Sequence, residues 1–365
     1  MKSVGFFSPL PPAQTGVADY SAALLDALRK TGSVEVASSH ADVALYHLGN
    51  NHLHREIYQR ALKHSGVVVL HDAVLQHFLL GTLDERAYIE EFVYNYGEWM
   101  RGLAGELWRH RARSAADPRY FDYPMLKRIA LASRAIVVHN PAAARAVTRH
   151  APHARVLEIP HLFLPPEMPD SIEILRFRDQ LGLAPRTLLV GVFGHLRESK
   201  RLPVLIRAME HAWDAGADAR LLIAGAFASS DLERAVTPRL ADPKILRTGH
   251  LPERDFWRYA AATDLCVNLR FPTAGESSGI AIRMMGIGKA VAFTAGEEIA
   301  RIPESACLRI PVGPGEEEML AATIVWLAGD RKVAMEIGRR AADHVASEHA
   351  LEKVAALYRK AINTP

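Results

Sequence analysis

The chain has 365 residues, of which 49% are hydrophobic and 23% charged, and its formal net charge is +3. A chain of this length is too long for one compact core and predicts two domains of ordinary size, while the small net charge gives no reason to expect nucleic-acid binding. No apolar run in the sequence reaches the roughly 20 residues that cross a bilayer.

The first residues of the chain predict a cytoplasmic protein. One lysine and a brief apolar run are followed by Pro9, Pro11 and Pro12, which arrive too early for a signal peptide. The two cysteines, Cys266 and Cys307, lie in apolar stretches. This usage fits a reducing compartment, and neither a disulfide framework nor a thiolate metal site is expected.

The first 160 residues alternate short apolar runs with polar loops. Buried strands are predicted at 3–7, 43–48, 67–70 and 135–138, and the apolar spacing over 17–28 predicts a helix. The alternation is typical of a doubly wound α/β domain, in which the ligand crevice lies beyond the carboxyl ends of the strands.

Several polar or small residues follow these predicted strands. His71 and Asp72 come directly after the third strand, Asn50 follows the second, and Gly16 lies in the first βα turn. We expect all four to lie at the ligand crevice. The alternatives are structural: a tight turn at Gly16, and a helix cap formed by His71 and Asp72.

A mostly helical stretch in the first half is rich in arginine. Between Arg101 and Arg119 five arginines face only two acidic residues, Glu106 and Asp117. One interpretation is a solvated helix face. The other is a site for an acceptor that is a phosphate-bearing lipid or sugar, with peripheral contact at the inner face of a membrane.

A proline-rich, polar segment at 162–169 has no hydrophobic period and marks a linker. The sequence therefore predicts one α/β domain over residues 1–165 and a second over 166–345, facing a central cleft. Beyond the linker, strands are predicted at 188–193 and 221–224, and amphipathic helices at 320–340 and 349–362.

The most informative stretch runs from Asp264 to Thr294. It reads as a buried strand, a loop of small residues, a helix and another strand. The helix opens with Glu276, Ser277, Ser278 and Gly279. N–H groups at a helix start bind anionic groups, because the unpaired amides and the helix dipole point the same way. A carboxylate beside such a phosphate site predicts a ligand that also carries hydroxyl groups, which points to a nucleotide-sugar.

This stretch resembles the donor-binding signature of family 4 retaining glycosyltransferases, which have the GT-B fold of two Rossmann-like domains. The resemblance covers Asp264 to Val291. It implies that Glu276 contacts the transferred sugar and acts in catalysis, and that the three following amides hold the donor diphosphate. The sequence departs from the family at Met284, where the family often has a second Glu that contacts the donor ribose.

The resemblance implies further site residues along nearly the whole chain. A loop of the second domain supplies a basic pair to the diphosphate in this family: Lys200 matches the lysine, His195 stands at the arginine position, and Arg197 is a substitute. The other implied contacts are Gly16 over the donor phosphates, Leu251 against the nucleobase, His71 beside the transferred sugar as a catalytic residue, and Asp19, Asn50 and Asp72 on the acceptor side. Residues 346–365 would form a final helix that packs back on the first domain.

Together these expectations predict a retaining glycosyltransferase that moves a hexose from a UDP- or GDP-linked donor to a glycan or lipid-linked acceptor. Neither a cofactor nor a metal is expected, because the sequence lacks Asp-x-Asp, the metal-diphosphate motif of the other main glycosyltransferase fold. The glycine patterns of nicotinamide dehydrogenases and P-loop NTPases are also absent. Two alternatives stay open: a GT-B nucleotide-sugar epimerase, and a non-catalytic sugar-nucleotide-binding protein, which the departures at His195 and Met284 would suit.

Overall fold

The computed structural model describes residues 2–364 and contains two parallel, six-stranded sheets. The strand order is β2-β1-β3-β4-β5-β6 in the first sheet and β12-β11-β10-β7-β8-β9 in the second. The predicted α/β class with two doubly wound sheets is therefore confirmed. The strands are β1 (Val4–Phe7), β2 (Val34–Val36), β3 (Val43–Leu48), β4 (Val67–Leu70), β5 (Ala135–Val138), β6 (Val156–Glu158), β7 (Leu188–Phe193), β8 (Ala219–Ala224), β9 (Ile245–Arg247), β10 (Leu265–Asn268), β11 (Ala290–Thr294) and β12 (Leu308–Ile310).

Helices connect the strands and cover the faces of the sheets. The pattern over 320–340, predicted as one helix, is divided between two helices by Asp330, whose backbone is extended. No helix among residues 2–364 is both long and apolar enough to cross a membrane. The helices are α1 (Gly16–Arg29), α2 (Arg55–Lys63), α3 (Gln76–Thr82), α4 (Glu85–Tyr96), α5 (Arg101–Arg109), α6 (Lys127–Ala132), α7 (Pro141–His150), α8 (Ser171–Gln180), α9 (Leu202–Asp214), α10 (Ser230–Val236), α11 (Glu253–Ala262), α12 (Gly279–Gly286), α13 (Glu316–Gly329), α14 (Arg331–Glu348) and α15 (Leu351–Asn363).

The central strands are apolar throughout because helices cover both faces of a parallel sheet. Every residue of β4, of β5 and of β7 is buried. Each of these strands ends in a change to polar or small residues: His71 after β4, His139 after β5 and Gly194 after β7. The buried strands therefore fix the backbone positions of the residues that follow them, including the candidate site residues.

The chain forms two compact units, and the first is assembled from three segments. It comprises the residues up to Leu164, the short segment Pro272–Ser277 and the residues from Glu348 onward. The second unit comprises Pro165–Phe271 and Ser278–Ser347. Segment 272–277, which carries Glu276, is thus joined to the second sheet by the chain but belongs by its contacts to the first unit.

The C-terminal helix α15 completes the core of the first unit by packing on α1. The hydroxyl oxygens of Tyr20 and Tyr358 are 2.8 Å apart in the buried interface. Arg359 donates hydrogen bonds to the carbonyl oxygen of Leu28 and to the hydroxyl of Thr31, 3.1 Å away. Val354 and Ile362 are fully buried in the same apolar cluster as the first strand.

Candidate active site

In the second unit, a lysine and a helix start meet at the carboxyl end of β7. Gly194 follows this strand with φ +80°, and a Cβ built on it would lie 3.2 Å from Lys200 Nζ and 3.6 Å from Ile280 Cγ1 in the first turn of α12. Lys200 is only 8% exposed, and its ammonium donates a hydrogen bond to the carbonyl oxygen of Phe193. Glycine at 194 therefore keeps space open between a cation and a helix N-terminus.

The start of α12 is held by side chains of the same unit. Ser278 caps the helix by accepting from the Ala281 amide at 3.3 Å, and its hydroxyl also meets Asn268 Nδ2 at 2.8 Å and Arg270 Nη2 at 3.2 Å. The Ser278 hydroxyl is thus engaged within the protein. The amides of Gly279 and Ile280 lie in the first turn, where a helix leaves its N–H groups without intrahelical partners, and they remain the donors suited to an anion.

Glu276 lies in the short segment of the first unit with its carboxylate turned back on its own loop. One carboxylate oxygen accepts from the Ala274 amide at 2.9 Å and from the Thr273 hydroxyl at 3.4 Å. Gly275 adopts φ +68°, which glycine reaches at no steric cost. The loop therefore presents Glu276 in a defined local geometry.

This segment is bound by residues that follow β4 and β5. The Ala73 amide donates to Ala274 O at 2.7 Å, and Asn140 Nδ2 donates to Gly275 O at 3.0 Å and to Ser277 Oγ at 3.1 Å. Neither Ala73 nor Asn140 was among the predicted site residues. Asn140 directly follows a histidine at a strand end, so the pattern that drew attention to His71 and Asp72 also pointed to His139 and Asn140.

His71 belongs to a cluster of four histidines around Tyr20, which we call the histidine cluster: the buried His47, His71 and His139 and the half-buried His161. The ring centroid of Tyr20 lies 4.9 Å from that of His71, 5.3 Å from that of His139 and 4.8 Å from that of His161. His47 Nδ1 and His71 Nε2 are 3.0 Å apart, so one ring donates a hydrogen bond and the other accepts it. With Nε2 engaged, Nδ1 is the His71 nitrogen that can meet a ligand.

Burial keeps His47, His71 and His139 of this cluster, and the nearby His54, neutral at ordinary pH. Desolvation, with a smaller contribution from neighbouring histidines, holds the pKa of His47 and the pKa of His71 well below the ordinary value of 6.5. Burial lowers the pKa of His139 to about 4 and that of His54 to about 4. At neutral pH, His71 is therefore a neutral hydrogen-bonding group and not a cation.

Two candidate residues on the acceptor side are engaged in local structure. Asp72 Oδ2 accepts from the Asn50 amide at 2.7 Å, and Asn50 Oδ1 accepts from the Phe78 amide at 2.7 Å near the start of α3. In this structure Asp72 and Asn50 therefore hold together the loops that follow β3 and β4. Gly16 and Asp19 are exposed in the first turn of α1, whose N-cap is Thr15.

The remaining donor candidates differ in exposure. His195 and Arg197 are exposed, and Leu251 is half-buried. Met284 is fully buried, so it offers no polar group to a ribose. The neighbouring Arg283 forms an ion pair with Glu253 and stacks 4.3 Å over the ring centroid of Trp257.

The arginine-rich stretch carries less unpaired charge than its sequence suggests. Arg101 forms an ion pair with Glu98 and another with Glu90 at 2.9 Å, acids that lie outside the stretch that the sequence analysis counted. Arg119 pairs with Asp117 and with Glu106, each at 2.8 Å. The other three arginines are exposed, and Arg111 stacks 4.4 Å over the Trp108 ring.

Nowhere between residues 2 and 364 do three His, Cys, Asp or Glu side chains gather in a way that could hold a metal ion.

Comparisons with known proteins identify this architecture. Three solved structures match nearly the full chain: HepE from Anabaena in complex with UDP and glucose (TM-score 0.64, 14% identity, 100% of both chains), WaaG, a glycosyltransferase involved in lipopolysaccharide biosynthesis (0.65, 15%, 99% of this chain and 100% of that one), and sucrose-phosphate synthase from Thermosynechococcus elongatus (0.62, 18%, 99% of both). The chain has the GT-B fold.

One family model matches part of the chain. Residues 185–330 match the model described as glycosyl transferases group 1. The matched part includes Lys200, Glu276 and α12, whereas His71 and the rest of the histidine cluster lie outside it. A comparison of the sequence with curated proteins finds no match.

Proposed function

We propose that this protein is a retaining glycosyltransferase of family 4, which transfers a hexose from a UDP- or GDP-linked donor to a glycan or lipid-linked acceptor. The observation that carries the proposal is the meeting of Lys200 Nζ with the start of α12 beside Gly194, inside the region that matches glycosyl transferases group 1. The complex of HepE with UDP and glucose supports a nucleotide-sugar donor for this fold.

The proposed reaction breaks the bond between the sugar C1 and the diphosphate oxygen and forms a bond from C1 to an acceptor oxygen. The diphosphate leaves with the bonding electrons, and the proton of the acceptor hydroxyl passes to the leaving diphosphate oxygen. Lys200 and the amides of Gly279 and Ile280 stabilise the charge on the leaving diphosphate, since fixed donors act most strongly where charge develops. Glu276 accepts hydrogen bonds from the sugar hydroxyls, and the neutral His71 imidazole lies beside the transferred sugar.

A thermal-shift screen against UDP-, GDP- and dTDP-sugars tests the donor, because a ligand that binds only the folded state raises the melting temperature. Transfer is then measured with the stabilising donor and a panel of glycan and lipid-linked acceptors. A glycosylated acceptor is the expected product, at the same rate with and without a chelator. A free nucleotide-linked epimer as product would identify an epimerase. Binding of the donor without any product would identify a non-catalytic protein. A rate that is lost on chelation and recovered on adding magnesium would identify a metal-dependent enzyme.

We further propose that Arg109, Arg111 and Arg113 contact an anionic acceptor or the inner surface of a membrane. Each basic residue near an anionic surface is worth about 1 kcal/mol. Reversing all three to glutamate should therefore weaken binding to phosphatidylglycerol vesicles at least 100-fold in low salt. The binding of the unchanged protein should also fall with salt, since screening acts over about 10 Å at 0.1 M.

The matched control reverses three exposed arginines of the second unit: Arg176, Arg186 and Arg254. It makes the same change in net charge and should retain vesicle binding. Equal binding by both variants and the unchanged protein would mean that the arginine-rich stretch is a solvated face.

A further inference from the structure

The side-chain amide of Asn140 forms hydrogen bonds with two different parts of the first unit. Its Oδ1 accepts from the Ala143 amide at 2.9 Å, which caps α7. Its Nδ2 donates one hydrogen bond to Gly275 O at 3.0 Å and one to Ser277 Oγ at 3.1 Å. Asn140 is 2% exposed, whereas Gly275 and Ser277 are half-buried. The acceptor end serves the helix, and the donor end serves the segment that carries Glu276.

The two Nδ2 contacts fall on either side of Glu276. Gly275 precedes Glu276 and Ser277 follows it. The Ser277 hydroxyl in turn donates a hydrogen bond to His139 O at 3.3 Å. Upstream, Ala274 O accepts from the Ala73 amide at 2.7 Å. A Cβ built on Gly275 would lie 2.9 Å from Ala73 Cβ, so the loop is closely packed there. The Asn140 side chain makes two of these contacts, so one substitution removes both while the backbone hydrogen bond between Ala73 and Ala274 stays in place.

We propose that Asn140 is a positioning residue, which fixes the loop around Glu276 through the two hydrogen bonds of its Nδ2. The role of Glu276 in transfer rests on the proposed function, whereas the anchoring of the loop does not. A catalytic carboxylate must be held within roughly 0.5 Å of its working position, and a displacement of about 1 Å can cost 100-fold in rate. Contacts at both neighbours of Glu276 supply that restraint.

Two substitutions separate the anchor from the helix cap. Asn140→Asp has nearly the same size and keeps a good N-cap oxygen, while Asn140→Ser keeps a capping hydroxyl without a charge and is too short to reach the loop. Both remove the Nδ2 donors. We expect both to speed amide hydrogen exchange at 274–277 at least tenfold and to lower kcat about 10- to 100-fold, with little change in the binding of bare UDP.

The matched control is Asp84→Ala. Asp84 caps α4 in the same unit by accepting from the Ala87 amide at 2.8 Å, and α4 packs on α5 and α6. Losing this cap should lower the melting temperature by about 2–4 °C while leaving kcat and the exchange at 274–277 unchanged. A general loss of stability in the first unit therefore cannot imitate the effect expected at Asn140.

The outcomes are distinct. Unchanged exchange at 274–277 in both Asn140 variants would reduce the residue to a helix cap and overturn the proposal. Faster exchange with an unchanged kcat would overturn it too, since the loop would then be anchored without consequence for transfer. If exchange rises as expected but the unchanged protein transfers no sugar from any donor, the anchor stands and the proposed function fails.

Discussion

Lys200→Ala is expected to weaken the binding of UDP roughly 10- to 100-fold, because a hydrogen bond to a charged group contributes about 1.5–3 kcal/mol. The ammonium is buried at the end of β7, beside the first turn of α12, and a compact charge acts strongly in a partly dry site. Glu276→Gln should leave the binding of UDP unchanged and lower the rate of transfer tenfold or more, since the partners proposed for its carboxylate are the hydroxyls of the sugar and not the diphosphate.

Calorimetry with UDP and initial rates with the complete donor measure the two effects separately. The control is Lys332→Ala, which removes an exposed lysine from α14 in the same unit and should change neither. If Glu276→Gln loses UDP while Lys200→Ala retains it, the two assigned roles are reversed. If neither substitution changes binding or rate, the donor diphosphate lies elsewhere.

Mild acid is expected to destabilise the first unit selectively. A buried histidine with a lowered pKa binds its proton more weakly in the folded protein than in the unfolded chain. Its contribution to stability is complete above the unfolded value of 6.5 and is lost as the pH falls toward the folded value. The pKa of His54 and that of His139 are both about 4. Each of these two histidines therefore lowers the free energy of unfolding at pH 5 by about 2 kcal/mol, compared with its value well above pH 6.5. The sum is a large part of a typical stability of 5–15 kcal/mol.

Hydrogen exchange in urea at pH 7.5 and pH 5.0 tests this prediction for each unit separately. Peptides from β4 should lose protection at pH 5.0, while those from β7 in the second unit serve as the internal reference. His139→Asn keeps a donor for Ile159 O, which accepts from the Nδ1 of His139 at 2.9 Å. This substitution should reduce the number of protons taken up on unfolding near pH 5 by about one. His40→Gln, at an exposed histidine, should not. A parallel loss of protection in both units would contradict the assignment to these histidines.

The fold was predictable because its signals are local. The run Val67–Leu70 is short, apolar and rich in β-branched residues, which predicted a buried strand, and the small residues before Ile280 predicted the start of α12. His71 was singled out by its place after β4, and the same reasoning extends to His139 after β5, which was not among the predicted site residues. A histidine after each of two neighbouring parallel strands was the available signal for the histidine cluster.

The contacts that join distant parts of the chain were not predictable. Asn140 and Gly275 are 135 positions apart, and no hydrophobic period or turn pattern connects them. The ion pair of Arg101 with Glu90 was missed because the charges were counted along the sequence and not across the surface of the folded α4–α5 pair. Met284 was noted as a departure from a family pattern, but only the fold shows that its side chain is fully buried in the second unit.

The three-segment make-up of the first unit bears on how the protein is made. Domains of a nascent chain generally fold in order as they leave the ribosome, yet this unit cannot close when residue 164 emerges. In the folded protein, α15 packs against three apolar residues of α1: Tyr20, Leu24 and Leu28. This helix is synthesised more than 300 residues after them. The second unit has all its segments before that helix is made. The unit begun first is therefore finished last, and its apolar surface on α1 is uncovered for most of translation.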